Sequence, residues 1–208
     1  QVPPTGADDR LVEPDRRMPP GRLEQIAGDL LPAPTPDEKA RQITATAFLA
    51  LGPTNYEEQN KDALRMDIVD EQLDTLGKAF LGMTIGCARC HDHKYDPISQ
   101  KDYYSTYAFF NQVPEKGLFG TIDASFADPP NMSISTKDVQ SILKFIHKKD
   151  TASVDGMVMA DSSKRRPTYE LSRGNYDMPG PEVGVGIPKS ILPYSSSKYG
   201  QNRLGLAR

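Results

Sequence analysis

Apolar residues recur at alternating three- and four-residue steps in one long stretch of the chain, and this spacing predicts a helix from about Lys61 to Met83. Its apolar stripe consists of Met66, Val69, Leu73, Leu76, Phe80 and Met83. Four acidic residues lie off that stripe: Asp67, Asp70, Glu71 and Asp74. Charged residues opposite an apolar stripe are typical of a solvated helix face, and this is the prediction for the four carboxylates.

Shorter helices are predicted on both sides of this stretch. The pattern over residues 20–31 has one apolar face and is ended by prolines. Residues 35–51 predict a second helix, with Thr35 as N-cap and Glu38 completing a capping box. Residues 99–110 open with another capping signal and predict an aromatic-rich helix.

The pattern divides the chain into four parts. Residues 1–20 are polar and proline-rich and predict an extended arm, whereas residues 21–112 predict a helical domain. Residues 113–136 predict a loop, because prolines and glycines interrupt them. Residues 137–208 predict a short helix and then an extended segment that wraps the helical domain as a lid.

Within the last part, the patterns are shorter. A helix is predicted to about residue 148, and short strands are predicted within 156–160 and 165–176. Residues 177–193 predict mostly extended chain punctuated by prolines. Residues 202–208 look like the first turns of a helix that stops abruptly, which suggests a fragment of a longer protein.

Composition supports a mainly α class with short helices, long Pro-rich irregular segments and little or no sheet. Of 208 residues, 37% are hydrophobic, with 18 Pro and 16 Gly, so a large apolar core is not expected. The net charge of −3 gives no reason to expect a nucleic-acid partner. No apolar run reaches membrane-spanning length, so no transmembrane segment is predicted.

The candidate chemistry lies in Cys87-Ala88-Arg89-Cys90-His91, the Cys-x-x-Cys-His pattern of c-type haem attachment. Two thiols at this spacing can form thioethers to one porphyrin, and the following histidine can be the proximal iron ligand. One covalent haem c is therefore predicted, wrapped by the short helices. A redox dithiol, half of a zinc site and a simple disulfide are the alternatives.

Several other residues are candidates for the surroundings of the haem. Met159 is the first candidate for the distal ligand and His147 the second. The side chains that could border the haem or pair with its propionates are Arg89, Lys94, Tyr103 and Tyr107. His93, with Asp92 and Asp96, is predicted to hold the loop after the motif or a propionate.

The stretch Asp67–Ile98 closely resembles the planctomycete cytochrome-c-like domain, found in large exported proteins of uncharacterised function. The resemblance covers roughly residues 20–112, and residues 156–208 resemble the opening of a companion domain of unknown function. Proteins of this family have a long insert between the two resembling parts and continue beyond the position of residue 208, so the present chain looks abbreviated.

The motif and the resemblance together predict an exported mono-haem cytochrome, periplasmic or extracellular, that transfers electrons. Thioether attachment follows export, and Gln1 is interpreted as a processed end. The proline-rich segments favour a subunit of a larger redox assembly, with redox proteins or other subunits as partners. The alternatives are a haem enzyme of peroxidase or substrate-oxidising type and a haem-stapled structural or binding subunit.

Overall fold

Helices dominate the computed structural model, which describes residues 21–52, 55, 58–112, 114, 130–135, 153–191 and 194–208. About half of these residues are helical, and their strands form two small sheets of two strands each. The mainly α prediction is confirmed. None of the described helices has the length and apolarity needed to span a membrane.

The α-helices, in chain order, are α1 (Arg22–Ala27), α2 (Pro36–Ala45), α3 (Ala47–Ala50), α4 (Lys61–Leu76), α5 (Gln100–Phe110), α6 (Ser196–Tyr199) and α7 (Arg203–Ala207). Shorter 3-10 turns lie at Gly28–Leu30, Ile85–Arg89 and Ser172–Gly174, and a π turn lies at Gly77–Leu81. The strands are β1 (Asn131–Ser135), β2 (Ser153–Met157), β3 (Thr168–Leu171) and β4 (Pro179–Val183).

Both sheets are antiparallel hairpin-like pairs. In the first, Asn131 is opposite Met157. In the second, Thr168 is opposite Val183, and a register shift lies between Tyr169 and Leu171. The strand predicted within 165–176 is present as β3, whereas β2 overlaps the strand predicted within 156–160 only at Gly156 and Met157.

The long predicted helix of residues 61–83 is present with a different end. Asn60 caps α4, its side chain accepting hydrogen bonds from the backbone N–H groups of Asp62 and Ala63 at 3.1 and 3.0 Å. After α4 the chain continues as the π turn and then reverses at Gly82, whose φ of 65° is left-handed. Glycine adopts this conformation at little cost. The apolar pattern continues beyond the α-helix because the π turn adds one more turn before Gly82.

Helix α5 is the centre of the core. It begins with a capping box: Ser99 Oγ accepts from the Asp102 N–H at 3.1 Å, and the Asp102 carboxylate accepts from the Ser99 N–H at 3.0 Å. Its aromatic residues are almost fully covered, each at most 3% exposed: Tyr103, Tyr104, Tyr107, Phe109 and Phe110. Apart from its first turn, where Lys101 is exposed, the helix is largely buried, and it packs between α4 and the β3–β4 sheet.

Helix α7, near the end of the chain, docks on α1 and the 3-10 turn that follows it. Arg203 in α7 is fully buried and donates to Asp29 Oδ2 at 2.6 Å, Asp161 Oδ1 at 2.9 Å and the Ile26 carbonyl at 2.7 Å. Asn202 caps α7 by accepting from the Gly205 N–H at 3.0 Å. The predicted terminal helix is thus confirmed, and it joins α1 to the segment after β2.

Two other predictions differ from the structure in detail. The helix of residues 35–51 is divided at Thr46, whose hydroxyl donates to the Ile43 carbonyl at 2.6 Å and accepts from the Met159 N–H at 2.8 Å. Strand β1 lies inside the predicted loop of 113–136, because a partner strand distant in sequence pairs with it. The predicted arm of residues 1–20 and the predicted helix after Ser135 lie outside the described residues.

Candidate functional site

The Cys-x-x-Cys-His motif lies on a short 3-10 turn, Ile85–Arg89, with Cys90 as the C-cap. Side chains three positions apart lie above one another on a 3-10 turn. One such pair, Ile85 and Ala88, is buried at 6% and 0% exposure and anchors the turn in the core. Cys87 and Cys90, each two positions after a member of the buried pair, are exposed, and neither forms a disulfide. The turn therefore presents two neighbouring thiols to solvent from a buried base.

The two histidines of the motif segment differ in their hydrogen bonds. His91 is exposed, and its Nδ1 lies 2.7 Å from the Asp92 carbonyl oxygen. Because a carbonyl can only accept, Nδ1 must carry the proton in this contact. The neutral ring then has its lone pair on Nε2, which is the arrangement that a metal-ligating histidine needs.

His93 has the opposite arrangement. Its side chain is only 5% exposed, and its Nδ1 accepts from the Asp96 N–H at 2.8 Å and the Tyr95 N–H at 3.3 Å. The Asp96 carboxylate lies farther from this nitrogen, at 3.3 Å, so the shorter N–H contact decides its role as an acceptor. His93 thereby holds the loop together, as its predicted role in the loop requires.

Arg89, between the two cysteines, is held by helix α4. Its Nη1 lies 3.0 Å from Asp70 Oδ2 and 3.1 Å from Asp67 Oδ1. The hydroxyl of Tyr103 donates to the other oxygen of Asp70. Partial burial lowers the pKa of Arg89, but the two carboxylates outweigh it and keep that pKa above its ordinary value. Burial, and then Asp70, raise the pKa of Tyr103 well above its ordinary value, so the phenol stays protonated as the donor.

This contact corrects the prediction for the acidic face of α4. Asp70 is not simply solvated: its side chain is 27% exposed and accepts from both Arg89 and Tyr103. Asp74, near the end of α4, pairs with Lys78 in the following π turn. The sequence shows that Asp67 and Asp70 are spaced about one helical turn apart. It does not show that both pair with Arg89, because Arg89 follows the chain reversal at Gly82.

The backbone of the motif is held from helix α5. The Arg89 carbonyl accepts from Gln100 Nε2 at 2.8 Å and from the Tyr104 hydroxyl at 3.0 Å. The same Gln100 amide group donates to the Leu171 carbonyl at 2.8 Å, at the end of β3. Asp92 accepts from the Gln100 N–H at 2.8 Å. Gln100 thus joins the motif to α5 and β3, a role that sequence reasoning missed.

The remaining predicted site residues are dispersed. Tyr103 and Tyr107 lie in the protein core at 2% and 3% exposure, so their rings pack on protein side chains. Met159 is also in the core at 1% exposure. Lys94 is exposed, with its Nζ 5.2 Å from the centroid of the Tyr95 ring. His147 lies outside the described residues.

Residues 22–115 match the family model PSCyt2, described as a protein of unknown function (DUF1549). The match covers the motif turn and every helix that holds it, and it agrees with the resemblance noted over residues 20–112. No curated protein and no solved structure matches the chain. The cytochrome-like character of the matched part and the resemblance of residues 156–208 to a companion domain stay predictions.

Proposed function

We propose that this chain is an exported c-type mono-haem cytochrome that transfers electrons, in the periplasm or outside the cell, as a subunit of a larger redox assembly. The observation that carries the proposal is the state of the motif. Two exposed cysteines lie three positions apart on one turn, and the next residue is a histidine whose Nδ1 contacts the Asp92 carbonyl, so that Nε2 is the ring nitrogen that could bind a metal. This is the donor set that thioether attachment and axial iron ligation require.

The residues of the motif fit haem c better than a bare metal ion. A structural zinc site takes four protein ligands, whereas a porphyrin brings four nitrogen ligands of its own and needs only axial ones. Within the part of the chain that the structure describes, no group of three or more His, Cys, Asp and Glu side chains is placed to hold a metal ion. Cys87 and Cys90 would carry the thioethers, and His91 would bind iron through Nε2.

When bound, haem c supplies reversible one-electron transfer. The chain contributes a rigid attachment point, because the motif turn is anchored by Ile85 and Ala88 below and by Arg89 on both its side chain and its carbonyl. A fixed turn holds the imidazole in one orientation through the Asp92 carbonyl. Such outer contacts orient ligands and tune a metal centre.

The test is production of the chain behind an export signal in a host that matures c-type cytochromes. We expect one haem per chain, with a pyridine haemochrome spectrum of the two-thioether type. Cys87→Ser and Cys90→Ser should each shift that spectrum towards one thioether, and the double variant should bind no haem covalently. The control Ser163→Ala changes an exposed serine away from the motif, keeps both thiols and should load normally.

A folded wild-type chain without covalent haem from that host would overturn the proposal. Voltammetry of the loaded protein separates electron transfer from enzymatic chemistry. A reversible one-electron wave and a low-spin spectrum support the carrier, whereas a high-spin spectrum that changes with cyanide favours a haem enzyme.

A further inference from the structure

The turn after β3 has an uncommon backbone. Arg173 and Gly174 are consecutive residues in the left-handed region, with φ of 54° and 75°. Among the residues that the structure describes, Arg173 is the only one other than glycine with a positive φ. Such conformations cost free energy and persist where the surroundings impose them, often at functional sites.

The left-handed pair brings this turn against the motif. A Cβ atom placed on Gly174 would lie 2.8 Å from Cys90 Sγ and 3.2 Å from Arg89 Cγ. A side chain at this position would have to displace Cys90 Sγ, so the backbone of Gly174 packs closely on that cysteine. The turn is therefore a wall of the attachment site, although it lies more than 80 residues away in the chain.

The same turn carries a methionine. The Met178 N–H donates to the Asn175 carbonyl at 3.1 Å, and the Ser172 N–H donates to the Met178 carbonyl at 3.0 Å, which closes residues 172–178 into one unit. The Asn175 side-chain amide donates to Met178 Sδ at 3.6 Å. The amide of Asn60, at the start of α4, donates to the Tyr176 hydroxyl at 2.7 Å and ties the turn to that helix.

Exposure separates this methionine from the one predicted from sequence. Met178 is 49% exposed, on the turn that contacts Cys90, whereas Met159 is 1% exposed in the core. A thioether sulfur has two lone pairs, so Met178 can accept from Asn175 and still offer a second pair to a metal. For Met159 to reach a group attached to the exposed thiols, it would have to leave the core.

We propose that Met178 supplies the second axial ligand of the haem iron. The inference rests on the proposed function, since it assigns a ligand to the same site. A thioether opposite a histidine raises the reduction potential relative to a second histidine. The strained turn then has a physical reason: its Gly174 backbone packs on Cys90, and its hydrogen bonds hold Met178 in the same short unit of chain.

The test compares two matched variants of the haem-loaded protein, Met178→Leu and Met159→Leu. The readouts are the weak far-red band of methionine-ligated ferric haem, the reduction potential and the affinity for added imidazole. We expect Met178→Leu to abolish the band, to lower the potential and to raise imidazole affinity at least tenfold. Met159→Leu should leave all three near wild type, and Met178→His should restore a low-spin spectrum at a lower potential.

An independent readout uses no variant. Peroxide oxidation of Met178, followed by peptide mass spectrometry, should be slower in the haem-loaded protein than in the haem-free chain. Met157 serves as the internal comparison and should oxidise equally in both. Equal oxidation of Met178 in the two forms would contradict the inference.

The outcomes distinguish this inference from the function on which it rests. Loss of the band in Met159→Leu but not in Met178→Leu would overturn the inference, as would a loaded wild type without the band. Each leaves covalent haem, and hence the proposed function, intact. A wild type without thioether haem would overturn both, and the haemochrome assay reveals that before any ligand is tested.

Discussion

The carboxylate of Asp70 should stabilise the chain far more than that of Asp67, although both lie within about 3 Å of the same guanidinium atom. Replacing Asp70 with Asn removes the charge and one of two acceptor oxygens. The remaining amide oxygen can accept from Arg89 or from Tyr103, but not from both in the present geometry. One donor is then left without its partner, and the phenol is only 2% exposed.

The magnitude follows from burial. An unsatisfied buried donor costs about 1–3 kcal/mol, and losing a fully buried ion-pair partner costs about 3–5 kcal/mol. Asp70 and Arg89 are each 27% exposed, and Asp67 stays beside Arg89 in the variant, so we expect a loss of about 2 kcal/mol. The matched control Asp67→Asn removes a carboxylate that is 61% exposed and should cost at most about 0.5 kcal/mol.

The assay is equilibrium urea unfolding of both variants and the wild type, with a double-mutant cycle between Asp70→Asn and Tyr103→Phe. With a denaturant slope of about 2 kcal/mol/M, the Asp70 variant should unfold about 1 M urea earlier. The two losses should be less than additive, because both variants break the same hydrogen bond. Equal destabilisation by Asp67→Asn and Asp70→Asn, or strict additivity in the cycle, would refute the reasoning.

Two further predictions concern the turn on Cys90 and the aromatic core. Gly174→Ala should destabilise the chain by about 1–2 kcal/mol, because φ at this position is left-handed and the added methyl group would strike Cys90 Sγ. The control Gly184→Ala should cost less, because a methyl group there meets nothing within 4 Å. Thermal unfolding measures the stability of both variants. Burial raises the pKa of Tyr103, Tyr104 and Tyr107, so the folded chain keeps these phenols neutral where the unfolded chain ionises. Their contribution to stability should be constant between about pH 8 and pH 10 and should fall above about pH 10. Phenolate absorbance should therefore rise in two stages, exposed tyrosines first and these three only on unfolding, and a single stage would contradict their burial.

Sequence patterns predicted local features of the fold well, because short-range contacts decide them. Ser99 and Asp102 are three residues apart, and their capping box depends on nothing else. Thr35 likewise caps α2 by accepting from the Glu38 N–H at 3.2 Å. The predicted capping box is only half formed, because the Glu38 carboxylate lies 3.8 Å from Arg41 Nη2. The motif itself is a local pattern, so the thiols and His91 were found without any structure.

Contacts between distant segments could not be predicted from one sequence. Asp70 meets Arg89 only because the chain reverses at Gly82, and the charge pattern of α4 alone cannot show which carboxylate faces that reversal. Gln100 reaches Leu171 across 71 residues, and Gly174 reaches Cys90 across the same fold. The sequence made Tyr103 and Tyr107 candidates to border a haem, and only tertiary packing could show that both lie in the protein core.

That packing bears on where a covalent group would sit. The sequence suggested a porphyrin at the centre of a sparse core, yet the centre of the described fold is filled by α5 and its tyrosines and phenylalanines. The thiols point outward from the buried base of the motif turn. Arg89, Gln100 and Tyr104 hold this turn through protein contacts, so the position of the two cysteines is fixed relative to α4 and α5. If the proposed haem is attached there, a partner protein could approach it, as the proposed electron transfer within an assembly requires.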